Sequence, residues 1–571
     1  MFMKLFQGKS LNFTLIIAVG FIFVVGFSLL SGAFESAFAA PNNVGPRANS
    51  GVDPVNGIYV SSNGNDSGAT GSIDAPYKSI NTALAAAHPG DTIILRGGTY
   101  YEGVNVRVRI PDITIKSREG EWAVIDLTTY NSGHNEDSGV YFDVDSSGGR
   151  LQCVEVIGGF YAVCLETRWD WGQANRAGAS NILIEDCILH DSRYDVVKVK
   201  PNCDNVTIRH CEIYNSGRAE INNPYWLYGE VNAEGIDNVN GDNMVVQNNY
   251  IHDIGGNGIY AKGGATDVLI ENNRIEHICG AGIMVGFDAS PEFFDIVVNP
   301  QYYENIRGVV RNNLIIDTGW EGIGLYASKD AQVYNNTLVN VDNGPGQYHS
   351  AIYFGITFQD WASYAGRPAN INPTIHHNVV CQPSSIVRPM IEIRYANELG
   401  GLSALVGDLT MSDNCYYIAG KSAVFIDRRP GNTLENAGLS AWQAHINGDS
   451  DSLEADPILN DDYVATNPQC AGMGISLSMS PTPTVTPTPT VTPTPTPMPG
   501  QTIYNIADFY ATNGQLSVKY GDVIVVGQRQ YRVLSNTYTI SYWSQNSLNN
   551  AISWWTTYLN SYAASGVVEE I

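Results

Sequence analysis

Basic residues are in short supply. Lys and Arg together number 31 against 57 Asp and Glu, leaving a formal charge of −26 over 571 residues. Bulk electrostatics therefore exclude general binding to nucleic acid, and an acidic partner would have to be met by a local cationic patch or through bound cations. Long apolar runs are equally scarce. TLIIAVGFIFVVGFSLL, residues 14–30, follows Lys4 and Lys9 and precedes the small residues of AFA at 37–39. That order is the pattern of a cleaved signal peptide over 1–39, with a retained membrane anchor as the alternative for a run of this length. No second run of that length follows, so the mature chain is expected to be exported, secreted or held at the cell surface, with no membrane segment after cleavage. Cysteine is sparse and odd in number, nine in all, so at least one stays unpaired or pairs between chains. Long helical periods and a leucine-rich consensus are both missing.

What is present is a repeat. The segments EDCILHD, RHCEIYN, QNNYIHD, ENNRIEH, RNNLIID, YNNTLVN and HHNVVCQ bring Cys187, Cys211, Asn249, Asn273, Asn313, Asn336 and Asn378 into register, with steps of 24, 38, 24, 40, 23 and 42 residues. The base period is 23–24 residues, and the longer steps carry insertions. A fixed period of this size marks a solenoid. Short alternating Val- and Ile-rich segments with Gly or Asn at the corners make it a parallel β-helix over 57–475, in which inward asparagines hydrogen-bond from coil to coil. Cys187 and Cys211, one repeat apart, are expected as a stacked core column rather than a disulfide. The stretch NTALAAAHPGDTIILRGGTYYEG (81–103) gives a short helix capping the first coil.

The segments upstream of the asparagines also stack. Because strand side chains alternate between faces, VVKVK, GIDNV, GIYAK, GIMVG, GIGLY and AIYFG point Lys198/Lys200, Asp237/Val239, Tyr260/Lys262, Met284/Gly286, Gly324/Tyr326 and Tyr353/Gly355 outward. The second of these rungs is one residue short before its asparagine pair, which leaves room for an offset of one. Insertions at 216–233, 288–305 and 341–374 are expected to rise beside this sheet as walls, the first carrying Arg218, Tyr225 and Trp226. Tyr260, Tyr326 and Tyr353 would stack on sugar rings, Lys198, Lys200 and Arg218 would meet carboxylates, and glycines would leave room for the rings. The groove then suits an acidic polysaccharide. Lys262 has three open roles, as a base, as a carboxylate-binding cation or as a solvated strand end. His252, which shares a column with His190 on a different strand, is either a general acid or other substrate contact, or a hydrogen-bonded turn histidine.

With GIYVSSNGNDSG, APYKSINTAL and HPGDTIILRGGTY ahead of such coils, the chain resembles the right-handed β-helix polysaccharide lyases, in particular the family 9 pectate lyases. That resemblance implies an all-β, right-handed parallel β-helix, a lysine base and aspartate-bound calcium (Ca2+). GNGIYAKGG is similar to the family's GNGFK-type segment, with its lysine two residues later, and makes Lys262 the catalytic candidate. The family's DDGWD-type segment is absent. YDVVKVK and EGIDNVNGD occupy the equivalent coils and supply Asp195, Asp237 and Asp242 as the expected metal ligands. The implied reaction is β-elimination at a uronic acid. A β-helix glycoside hydrolase, a uronate epimerase and a non-catalytic glycan-binding surface protein remain open beside it.

The alternating proline and threonine of 480–500 form an extended linker. Residues 501–571 hold Trp543, Trp554, Trp555 and many tyrosines, the composition of a small carbohydrate-binding module. The chain is expected to act as a monomer.

Overall fold

The computed structural model describes residues 44–47, 51–103, 105–128, 139–168, 176–217, 232–345, 349–357, 367–385, 387–431 and 433–476, and short strands between 503 and 570. The signal peptide at 1–39, the linker at 480–500, Arg218, Tyr225, Trp226 and the stretch from Trp543 to Tyr558 lie outside the described residues. Two compact units emerge, Met1–Ser478 and Met479–Ile571.

In the larger unit each coil contributes one strand to each of three twelve-stranded sheets. Ile259–Lys262, Leu269–Glu271 and Arg274–Ile278 make one such coil. Each strand pairs in parallel with its counterparts one coil before and after, for example Ile236 with Ile259 and Ile259 with Ile283. The sheet containing Ile259–Lys262 is called the groove sheet below. Its inward isoleucines 236, 259, 283, 323, 352 and 391 form a fully buried column, each contributing roughly 1.5–3 kcal/mol of apolar burial.

The turn between the second and third sheets explains the doubled asparagines. Asn248, Asn272, Asn312 and Asn335 adopt φ of 53 to 56°, the left-handed region that Asn tolerates better than most side chains. The residue after each points inward. Asn273 Oδ1 accepts from the amide N–H and the side-chain NH2 of Asn249, each at 3.0 Å, and Asn313, Asn336 and Asn378 repeat the pattern. The ladder runs one coil further than the repeats indicated, to Asn414, whose N–H donates to Ser452 Oγ at 2.7 Å. At its other end Cys187 and Cys211 are buried, unpaired thiols facing carbonyls of the preceding coil.

Both ends are closed. Helix Ile80–Ala86, N-capped by Ser79, buries Ile80, Ala83 and Leu84 over the first coils. Helix Leu439–Ile446 buries Trp442 against Phe425 at the far end, a cap the sequence reading missed. The segment after it carries the disulfide Cys415–Cys470 and then runs back along the stack. Gly474 N–H donates to His377 O, Ile475 N–H to Thr337 Oγ1 and Ser476 N–H to Asn312 Oδ1, so three consecutive residues touch three coils. The smaller unit contains antiparallel pairs, Gly514–Lys519 with Thr537–Tyr542 and Val523–Val526 with Arg529–Val533.

His252 is not on the groove sheet. It lies on the third sheet in a stack with Tyr214 and His190, ring centroids 4.5 and 4.9 Å apart. Its ring nitrogens meet Asp253 at 2.7 Å and Glu212 at 3.3 Å, and His190 is held the same way by Asp191 and Glu155. The alternation that places it beside His190 also places it on a wall remote from the groove column.

Two tests follow from these columns. Asn313→Ala removes an amide that satisfies groups on both neighbouring coils, and denaturant unfolding should show a loss of at least about 2 kcal/mol. Burial lowers the His190 pKa, but the hydrogen bonds to Asp191 and Glu155 outweigh it and carry it up to about 9. The folded state therefore holds this proton more tightly than the unfolded chain, whose histidines titrate near 6.5. The resulting stability is complete below about pH 6.5 and is lost as pH rises through about 9. The gap in unfolding free energy between wild type and His190→Gln should be largest at pH 6 and nearly closed at pH 10.

Candidate active site

On the outer face of the groove sheet, Lys198, Asp237, Tyr260, Met284, Gly324, Tyr353 and Glu392 stand in one column. The second rung has no offset, since Asp237 pairs with Tyr260 and Val239 with Lys262. What differs is exposure. Tyr260, Tyr326 and Tyr353 are only 2–3% exposed and form an apolar cluster with Ala281 and Met284, against which Phe287 and Trp320 pack. The Tyr260 hydroxyl accepts from Asp288 N–H at 2.7 Å. A Cβ on Gly355 would fall 1.8 Å from the Tyr326 ring, so that glycine makes room for a tyrosine and not for a sugar. The three tyrosines are therefore not the open stacking platforms expected of them. The neighbouring turns fold over this part of the sheet, and alternation alone does not report turn packing.

The three lysines differ in what they meet. Lys200 is matched by Glu166, with contacts of 3.0 and 3.1 Å. Lys198 Nζ donates to Asp195 Oδ2 at 3.0 Å and also to Asp237 Oδ2. Burial disfavours its charge, yet Asp195 and Asp237 more than compensate and push its pKa well above the ordinary lysine value. Lys198 is a fixed cation. Lys262 is held more loosely, with Nζ 3.8 Å from Asp237 Oδ2 and 3.8 Å from the centre of the Tyr260 ring. Its strand ends on Gly263 and Gly264, both with positive φ. Gly263 N–H donates to Glu304 Oε2 at 2.9 Å, and Glu304 is paired with buried Arg367. This clamp fixes the backbone directly behind Lys262.

Asp195, Glu234 and Asp237 are buried together, each presenting an oxygen within 4.8 Å of the others. Asp195 Oδ1 accepts from Glu234 N–H and Glu234 Oε1 from Asn257. Glu234 Oε2 and Asp237 Oδ1 are buried with no hydrogen-bond partner. Burial, together with Asp195 and Asp237, pushes Glu234 well above the usual carboxylate range. Burial acts in the same direction on Asp195, but Lys198 prevails and its pKa falls. Buried carboxylate oxygens without partners are costly, and the donor set suits a hard cation, which takes six to eight oxygens.

Asp242 is not part of this group. It lies in the turn after the strand, where Oδ1 accepts from Thr266 N–H at 2.8 Å and its own N–H donates to Asp204. Burial raises its pKa to about 6. Glu234 takes the position assigned to Asp242, because three residues before an outward strand position the chain is crossing onto the groove sheet, whereas three to five after it the chain has left. Glu234 and Asp237 share this three-residue spacing with Asp195 and Lys198, and that signal was legible.

Comparison with known proteins agrees with this architecture. A family model described as a right-handed β-helix region matches residues 115–285 and 218–380. Pectate lyase PEL9 of Emericella nidulans is 34% identical over 119 residues, which is 19% of this chain and 29% of that protein. The chain thus aligns with less than a third of that relative's length. Similar solved structures include pectate lyase Pel9A, with a TM-score of 0.40, 18% identity and coverage of 60% of this chain and 79% of the other. The surface adhesin PfbA of Streptococcus pneumoniae gives 0.41, 13%, 62% and 90%. The A-module of mannuronan C-5 epimerase AlgE6 from Azotobacter vinelandii gives 0.42, 15%, 66% and 94%. With its three stacked parallel sheets and the matched coils, the chain has the fold of a right-handed parallel β-helix.

Proposed function

We propose that this chain is an exported polysaccharide lyase that cleaves a uronic-acid-containing polysaccharide by β-elimination, with Lys262 as the base. The observation that carries this reading is the pairing of a loosely held lysine with a buried carboxylate group whose Glu234 Oε2 and Asp237 Oδ1 have no partner. The partial likeness to a pectate lyase points the same way.

Asp195, Glu234 and Asp237 would hold a calcium ion, with Lys198 balancing part of their charge. Calcium bound there would neutralise the substrate carboxylate and so acidify the adjacent C5–H. Lys262 Nζ takes the C5 proton with its lone pair. The C–H electrons form the C4–C5 double bond, the C4–O4 bond breaks, and the departing oxygen is protonated from solvent. Lys198, locked in its charged form by two aspartates, cannot act as that base, and Lys200 is occupied by Glu166. The clamp of Glu304 and Arg367 keeps the Lys262 end of the strand in place.

A glycoside hydrolase needs two carboxyl groups roughly 5–9.5 Å apart with a bond or water between them. The three acids here converge on one small space, their oxygens within 4.8 Å of one another, an arrangement that favours cation binding. The module after the linker would hold the enzyme on its polysaccharide and raise local substrate concentration.

Purified chain given uronic polysaccharides should release unsaturated products absorbing in the ultraviolet. Lys262→Ala should lower that rate by at least about 10²-fold with unchanged unfolding behaviour. Near-normal turnover in the variant, or new reducing ends without absorbance, would overturn the assignment. In calorimetric titration with calcium chloride, Glu234→Gln should weaken binding at least about tenfold, whereas Asp242→Asn should leave it unchanged.

A further inference from the structure

A second polar group lies on the same face, further along the stack. Glu321 occupies the position of Glu234 three coils on, since the isoleucines after Gly235, Gly258 and Gly282 donate in succession to the carbonyls of Gly258, Gly282 and Gly322. Glu321 Oε1 accepts from the Tyr326 hydroxyl at 2.8 Å, and Oε2 meets His349 Nδ1. The His349 ring lies on that of Tyr353, centroids 4.4 Å apart and 11° from parallel, and meets the Trp320 ring edge-on. Because Tyr353 points outward, His349 covers the outer face of the groove sheet. Its side chain is 17% exposed, and no described residue hydrogen-bonds to its Nε2.

Two neighbours point to a missing ligand. Trp320 Nε1 is buried without a partner, and both oxygens of fully buried Asp342 accept no hydrogen bond, with the Arg388 guanidinium 3.5 Å away. These groups are not part of the Lys262 site.

We propose that Trp320, Glu321, Asp342 and His349 form a distal subsite of the groove that binds the carboxylate of a uronic acid unit through the imidazolium Nε2–H. This rests on the polysaccharide reading above and names where the chain continues. His349 and Lys262 are separated by three coils, about 14 Å along the axis at a strand spacing of about 4.8 Å. That span places them on different sugar units, so His349 cannot share a proton transfer with Lys262. The charge balance favours an anion. Burial lowers the His349 pKa, but Glu321 outweighs it and the net shift is upward, towards the charged ring. Burial pushes Asp342 up to about 8 against the opposing Arg388 guanidinium, which reduces the negative charge beside the ring. Glu392, raised by burial and bound by Arg428, faces the same ring, and Arg394 borders Tyr353.

The test uses the full chain carrying Lys262→Ala, so that ligand is not consumed, and calorimetry with oligogalacturonides and oligoalginates of two and six units. The six-unit ligand should bind more tightly than the two-unit ligand. Adding His349→Gln should weaken the six-unit ligand about tenfold and leave the two-unit ligand unchanged. A mutation-free control uses the six-unit ligand with its carboxylates reduced to alcohols, which should lose the advantage of length. Equal six-unit affinity with and without His349, an equally tight reduced ligand, or no binding at all would overturn the subsite. Failure of elimination is read separately, from absorbance of the wild-type products. A chain that binds with the expected length dependence yet releases no unsaturated product would keep the subsite and lose the lyase.

Discussion

Between the second and third sheets, each coil from Asn249 to Asn414 turns on two residues. One is held in the left-handed region, and the other sends its amide into the core to bind the coil ahead and the coil behind. A slip of one residue in any coil would leave several buried amide groups without partners, at a cost of about 1–3 kcal/mol each, and would turn an isoleucine column out to water. Register is thereby fixed from Asn249 to Asn414. Everything on the outer faces inherits that register, including the alignment of Lys198 with Asp237 and of Val239 with Lys262.

This explains which parts of the molecule could be read from the sequence. The period, the asparagine column, the helix at Ile80–Ala86 and the two-faced groove sheet follow from alternation and spacing, and they appear as expected. Burial of Tyr260, Tyr326 and Tyr353 does not follow, because it depends on how turns of unequal length fold back over the sheet. The same limit applies to the acids. Position along a strand predicts a face, but whether a carboxylate just outside the strand meets its neighbours depends on the side from which the chain arrives. Glu234 arrives from the third sheet beside Asp195, while Asp242 has already left towards the second. Cys415 and Cys470, 55 residues apart, gave no local signal of their pairing.

The groove sheet concentrates charge that the interior cannot hold. Lys198 is bound by two aspartates, Lys200 by a glutamate, and His349 by Glu321. Lys262 stands apart through its longer contact with Asp237 and its seat on an aromatic ring. A rigid spine makes such differences possible, since neighbouring coils hold their side chains at a constant spacing and the surroundings of each cation are set by which acids the turns deliver.

The returning segment from Cys470 to Ser476 has a mechanical meaning. It is tied by the disulfide at Cys415 and by hydrogen bonds to His377, Thr337 and Asn312. A pull on the chain beyond Ser476 therefore arrives at the Asn312 coil, well inside the stack. Traction would be met by several contacts loaded side by side, in shear, and the terminal coil would be spared from being unzipped strand by strand. A domain anchored this way resists being peeled apart from its last coil.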